Sequence, residues 1–261
     1  MASDMNAALI ALPRLGVLGG MGPLATADFL VKLIQATPAA SDQEHMPVIV
    51  HNVPQVPDRS TAFLAGSDAP WPHLLDGLRT LEAAGCAAIA IPCNTAHVWH
   101  ERLAQETARP VLHIGEAALR ALAVTCPGAR RVGMLATAAT LKARIYHDQL
   151  AASGIDAIEP GQMSQTTQVM GAIAAVKGGR IDEARAWLKR AAHALIDRGA
   201  DALLMACTEI PVALAGVALD VPAIDPTEAL ARASVDWWLA ARERTNTSEF
   251  SSGQKTCSSL I

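Results

Sequence analysis

No stretch of this 261-residue chain is long and apolar enough to read as a membrane span. Its best apolar runs, such as Ala87–Ile91 and Ala202–Ala206, are strand-sized, far short of the ~18 residues that a crossing helix needs. No basic segment followed by an apolar core and a small-residue cleavage site precedes Pro13, so a secretory leader is not expected and a cytoplasmic location is. Lys and Arg form no run, and the formal charge of −4 disfavours a general nucleic-acid partner. The cysteines, five in number at 86, 93, 126, 207 and 257, lack the CxxC spacing of a zinc knuckle. An odd number without a leader is poor material for a disulfide framework, so all are read as reduced thiols.

What is present is an alternation of strand-like and helix-like segments. Leu15–Gly19 runs into Gly19-Gly20-Met21-Gly22-Pro23 and a helical Leu24–Gln35. Pro47–Val53, Ala87–Ile91 and Pro110–Ile114 read as further strands, with helices over Pro72–Ala84 and from Asn94 or Thr95 onward. The second half offers strands at Arg131–Leu135, Ile155–Glu159, Ala202–Ala206 and Val221–Ile224. Its helices are expected at Thr140–Ser153, Thr167–Val176, Ile181–Arg198 and Pro226 to about Arg242. Such alternation predicts an α/β fold with mostly parallel sheet covered by helices on both faces. The expected plan is an extension over 1–14, a first lobe over 15–114 and a second over 115–225. A last helix over 226–243 packs back on the first lobe, and a disordered tail covers 244–261.

An internal repeat sharpens this plan. Gly16-Val17-Leu18 opens the first half and Gly133-Met134-Leu135 the second; 77 positions separate Gly16 from Cys93, and 74 separate Gly133 from Cys207. Gly85 precedes Cys93 by 8 positions, as Gly199 precedes Cys207. Each unit is a small turn, a buried strand, then Cys followed by polar residues. Two pseudo-symmetric lobes would thus present a cysteine each at a strand's carboxyl end, across a shared cleft where open α/β sheets bind ligands.

Two facing thiols suit one reaction well. Inversion of a stereocentre by proton transfer needs a base on one side and an acid on the other. A thiolate and a thiol can exchange those roles when the reaction reverses. The α-carbanion also needs donors around the substrate carboxylate and exclusion of water; Asn94, Thr95 and Thr208 stand at the expected strand mouths. Cys86, at an apolar strand edge, reads as core; Cys126, before Pro127-Gly128, and Cys257, in the tail, carry no role.

Pro92-Cys93-Asn94-Thr95-Ala96-His97 and Ala206-Cys207-Thr208-Glu209-Ile210-Pro211, together with Gly19-Gly20-Met21-Gly22-Pro23, resemble the aspartate/glutamate racemase family over residues 15–240, closest to its aspartate branch. The resemblance implies a two-lobed α/β enzyme, commonly a homodimer, that interconverts L- and D-aspartate, or glutamate or a broader set. It implies no pyridoxal phosphate and no metal, with Cys93 and Cys207 as the acid/base pair. Arg59, in Val56-Pro57-Asp58-Arg59-Ser60, resembles the loop arginine that holds the substrate's side-chain carboxylate. A guanidinium suits that task by binding carboxylate bidentately. Lys177 resembles the lysine that assists it, and Met21, Gly22 and Thr137 resemble pocket-lining positions. Thr140, His97 and Glu209 are supporting candidates. Ala139 stands where the family often carries glycine.

Other readings compete. Gly20-x-Gly22-x-x-Ala25 imitates a dinucleotide fingerprint, but Pro23 lies inside it and the next strand ends in His51-Asn52 without the acidic residue a ribose requires. Cys93, His97 and His100 lack a fourth metal ligand. Lys177 before Gly178-Gly179 also suits a helix C-terminus. At the level of function, the alternatives are a decarboxylase of substituted malonates, a cysteine-dependent cis–trans isomerase, or a non-catalytic protein that binds an amino acid in the same cleft.

Overall fold

The computed structural model describes the backbone of residues 12–253 and the side chains of residues 12–244. The first half runs β1 (Arg14–Gly19), α1 (Pro23–Ala36), β2 (Val48–Asn52), α2 (Arg59–Leu64), α3 (Trp71–Ala83), β3 (Cys86–Ala90), α4 (His100–Gln105), β4 (Val111–Leu112) and α5 (Ile114–Thr125). The second half runs β5 (Arg131–Ala136), α6 (Ala138–Lys142), α7 (His147–Ala152), β6 (Asp156–Ile158), α8 (Gln162–Ser164), α9 (Met170–Lys177), α10 (Ile181–Asp197), β7 (Ala202–Ala206), α11 (Glu209–Leu214), β8 (Ala223–Ile224) and α12 (Pro226–Gly253). Two four-stranded sheets result, ordered β2-β1-β3-β4 and β6-β5-β7-β8. Every pairing is parallel. The identical order is the three-dimensional counterpart of the sequence repeat, and the α/β, two-lobed fold is as expected.

Each sheet is buried on both faces, which explains why its central strands read as nearly continuous apolar runs. Side chains alternate between two cores with the period of two that a strand imposes. In the first sheet Leu15, Val17, Ala88 and Ala90 face Phe29 and Leu33 of α1, while Leu18, Ile89 and Ile91 face Leu74, Leu78 and Leu81 of α3. In the second, Leu135, Leu203 and Met205 meet α9 and α10, and Val132, Met134, Ala202 and Leu204 meet α5 and α7. Helix α12 lays Leu230, Val235 and Trp238 against the first of these cores. Gly85 and Gly199 turn the chain into β3 and β7 with φ of 78° and 86°, a conformation in which a Cβ would be strained.

Several boundaries differ from the sequence reading. The stretch expected to be one helix over 140–153 is two, α6 and α7, because Arg144 adopts φ 56° between them. The helix expected from Thr167 begins at Gln162 and includes a π turn over Gln165–Val169. Arg59, expected in a loop, opens helix α2, whose first turn is capped by Asp58 accepting from the Thr61 N–H at 2.8 Å. Pro110–Ile114 shortens to two strand residues because Ile114 already belongs to α5. Helix α12 continues past Arg242 to Gly253. The rest of the expected tail, with Cys257, and residues 1–11 of the expected extension lie outside the described residues.

Helix α5 was not anticipated, since its N-cap is a histidine rather than the usual Ser, Thr, Asp or Asn. His113 Nδ1 accepts from the N–H groups of Gly115 and Glu116 at 3.0 and 3.2 Å. Burial and the neighbouring His100 depress its pKa from 6.5 to about 4. The unfolded chain therefore takes up this proton at a higher pH than the folded one. The contribution is intact above pH 6.5 and is lost as pH falls toward 4. We expect His113 to account for about 2 kcal/mol of stability lost between pH 7 and pH 5. The variant His113→Asn, which keeps a capping acceptor but does not titrate, should lose that share in urea unfolding at the two pH values. An unchanged pH dependence would rule the assignment out.

Candidate active site

The two cysteine segments are built alike. After β3 the Cys93 N–H donates to the Ile91 carbonyl at 2.8 Å, and after β7 the Cys207 N–H donates to the Met205 carbonyl at 2.9 Å. The same three-residue turn thus lifts each cysteine off its strand. Both thiol residues are buried, at 6% and 5% exposure, and both line one tight cleft between the lobes.

Polar residues from both lobes complete the wall. Thr95 and Asn94 follow Cys93, Thr208 follows Cys207, and Thr137 enters from the end of β5. Thr95 Oγ1 lies 3.0 Å from both Thr137 Oγ1 and Thr140 Oγ1, which are themselves 2.9 Å apart. This buried triangle of hydroxyls ties the first lobe to the second. Cys207 Sγ donates to Glu209 Oε2 at 3.0 Å. Burial, the Glu209 charge and this hydrogen bond push the Cys207 thiol well above its ordinary pKa, so Cys207 is protonated at neutral pH.

Two cations and two carboxylates face the same space. Lys177 Nζ lies 3.5 Å from Asp58 Oδ2. Burial works to lower its pKa, but Glu209 and Asp58 outweigh that effect and raise it. Asp58 is depressed, because the Thr61 N–H and Lys177 overcome its own burial. Arg59 is 7% exposed; its Nη1 donates to the carbonyls of Val56 and Pro57 at 3.1 Å each, and its buried Nε has no partner.

The sequence profile of the Asp/Glu/hydantoin racemases matches residues 18–234. The chain belongs to that family. It is 30% identical over 236 residues to the broad-specificity amino-acid racemase RacX of Bacillus subtilis (strain 168), covering 87% of this chain and 98% of the relative. The solved aspartate racemase of Picrophilus torridus superposes with a TM-score of 0.74 at 31% identity, over 87% of this chain and 94% of that one. The glutamate racemase of Francisella tularensis subsp. tularensis, solved with D-glutamate, shares the fold, with a TM-score of 0.67 at 17% identity over 88% and 82% of the two chains.

Of the residues singled out in this racemase-family sequence, Met21, Arg59, Cys93, Asn94, Thr95, Thr137, Lys177, Cys207, Thr208 and Glu209 all line the cleft. Gly22 lines an adjoining groove that shares Arg59, Lys177 and Glu209 with it. Thr140 stands behind Thr137. His97 does not line the cleft. The Ile114 N–H donates to its Nε2 at 3.0 Å, so the proton is on Nδ1, which donates to the Cys93 carbonyl at 2.8 Å. Burial and the neighbouring His113 and His100 keep the ring neutral, and it clamps the Cys93 turn to the start of α5. Asp58, Ser60 and Tyr146 were not anticipated. Asp58 and Ser60 were quoted only as neighbours of Arg59, and Tyr146 carries no local motif. Among the described residues no group of three or more His, Cys, Asp or Glu side chains is arranged to hold a metal ion, and no helix is long and apolar enough to cross a membrane.

Because Glu209 and Lys177 act on the Cys207 thiol in opposite directions, their removal should have opposite effects. Glu209→Gln is expected to lower the Cys207 pKa and Lys177→Met to raise it. Peptide-resolved alkylation rates followed against pH report the shift. Identical titrations in all three proteins would contradict this electrostatic assignment.

Proposed function

We propose that the chain is an amino-acid racemase that inverts an acidic amino acid, aspartate ahead of glutamate, by proton transfer between Cys93 and Cys207 without pyridoxal phosphate or metal. One observation carries this reading: two buried thiols from repeated units face a single small cleft beside Arg59, whose buried Nε has no partner. An unpaired guanidinium N–H is costly to bury, and a substrate carboxylate would satisfy it. The names of the relatives support amino-acid racemisation, and that of the Picrophilus torridus protein supports aspartate. The family resemblance supports a homodimer, and the sequence reading supports a cytoplasmic location.

In the forward direction Cys93, as thiolate, takes the α-proton from one side. The protonated Cys207 gives its proton to the opposite side of the carbanion. The product is the other enantiomer, with Cys93 now a thiol and Cys207 a thiolate. In reverse the roles exchange without change in the total number of protons. Resetting the pair requires Cys93 to release its proton to solvent and Cys207 to regain one from solvent; Glu209, hydrogen-bonded to Cys207, can relay the second. Asn94 Nδ2, which has no protein partner, supplies a donor for the carboxylate as negative charge spreads into it, and Thr95, Thr137 and Thr208 line the wall around it. Arg59 and Lys177 hold the side-chain carboxylate, the second as a point charge already shared with Asp58.

The test is L-aspartate in D2O with reduced protein, following α-deuteration by NMR and enantiomers by chiral chromatography. Deuterium entry accompanied by D-aspartate is expected. Cys93→Ala and Cys207→Ala should each lower racemisation by about 10²–10⁴-fold, while exchange from the side served by the remaining thiol can persist. Undiminished racemisation in either variant would sink the two-base scheme. Arg59→Leu should lower kcat/KM for aspartate about 10²-fold and spare a neutral amino acid. Equal losses for both would remove Arg59 as the reader of the acidic side chain. Silence with aspartate, glutamate and neutral amino acids would redirect the search to substituted malonates and cis–trans isomerisation.

A further inference from the structure

Asn94 is 2% exposed and lines the cleft immediately after Cys93. Its amide has two unlike ends. Oδ1 accepts a hydrogen bond from the phenol of Tyr146, whereas Nδ2, although buried, has no protein partner. Tyr146 is the only tyrosine in the chain and is fully buried among Ala136, Ala206 and Ile224 of the second lobe. It directly precedes α7, two residues beyond the backbone break at Arg144. An amide of one lobe is thus held by a phenol of the other.

A primary amide presents a donor when turned one way and an acceptor when turned the other. An acceptor aimed into this cleft would repel a carboxylate; a donor would bind it. We propose that Tyr146 is a positioning residue that holds the Asn94 amide in the orientation that leaves Nδ2 free to donate to a substrate carboxylate. Burial, together with the negative charge of Asp225, keeps the phenol well above its ordinary pKa. It therefore remains an O–H donor throughout the working range of pH and takes no part in proton transfer. Thr95 and Thr137 form a separate contact between the lobes, so loss of one hydroxyl at 146 does not by itself release the lobes.

This assignment rests on the proposed racemase reading, and a double-mutant cycle separates the two. The proteins are wild type, Tyr146→Phe, Asn94→Ala and the double variant. The readouts are KM and kcat for L-aspartate and the Kd of succinate by calorimetry. Tyr146→Phe is expected to raise KM and Kd about tenfold while changing kcat less, as loss of a hydrogen bond to a charged group would. Adding it to Asn94→Ala should cost nothing more, and both directions of reaction should suffer alike. Additive losses, or normal succinate binding by Tyr146→Phe, would overturn the assignment, since a purely structural tyrosine acts independently of Asn94. Wild type that binds succinate but does not racemise aspartate would defeat the racemase reading while the binding cycle still judges Tyr146. Wild type that fails to bind succinate would count against a carboxylate at Asn94 and so against the role of Tyr146.

Discussion

A parallel sheet carries the carboxyl ends of all its strands to one edge, where backbone groups and the turns that follow are left to meet a ligand. Here two sheets of identical strand order bring those edges to a common cleft. The rest of the arrangement depends on that constraint. It is why Cys93 and Cys207, far apart in the chain, leave β3 and β7 through the same hydrogen-bonded turn. It is also why Thr95 of one lobe can meet Thr137 and Thr140 of the other. The hydroxyl triangle and the Tyr146–Asn94 bond close the lobes with polar groups that satisfy one another, as buried polar groups must.

Inside the cleft, charge is organised as a chain of opposites. Glu209 accepts from the Cys207 thiol and raises the Lys177 pKa; Lys177 in turn holds Asp58 ionised, and Asp58 caps the helix that carries Arg59. Local helix chemistry and cleft-facing charge are therefore one network. The two lobes are not electrostatic copies of each other. Cys207 has a carboxylate at its sulfur, whereas Cys93 is held through its backbone by a neutral histidine. A pseudo-symmetric scaffold thus carries an asymmetric pair of thiols.

Much of this was legible in the chain because repeats and strand-ending motifs are local signals. The apolar runs, the Gly85 and Gly199 turns and the polar residues after each cysteine identified the strands and the cysteine segments with Asn94, Thr95, Thr208 and Glu209, while the family resemblance supplied Met21, Arg59, Thr137 and Lys177, all of them at the cleft. Less visible were elements whose cause is distant. The break at Arg144 interrupts a stretch that reads as one helix. Helix α5 is capped by an unusual residue, and α2 is short enough to pass for a loop. His97 was a supporting candidate for the site. The ring instead turns toward the Cys93 carbonyl and the Ile114 N–H, because the first turn there is 3₁₀ and that carbonyl needs a donor.

Sequence alone determined the α/β class, the twofold repeat and the identity of the two thiols, since those follow from periodicity and from residues fixed to strand ends. Tertiary structure alone decided the partners: Glu209 on Cys207, His97 on the Cys93 backbone, Asp58 on Lys177, and Tyr146 on Asn94. Periodicity fixes which side of an element a residue occupies. It does not say which distant donor will meet it, because that depends on how the two sheets are set against each other.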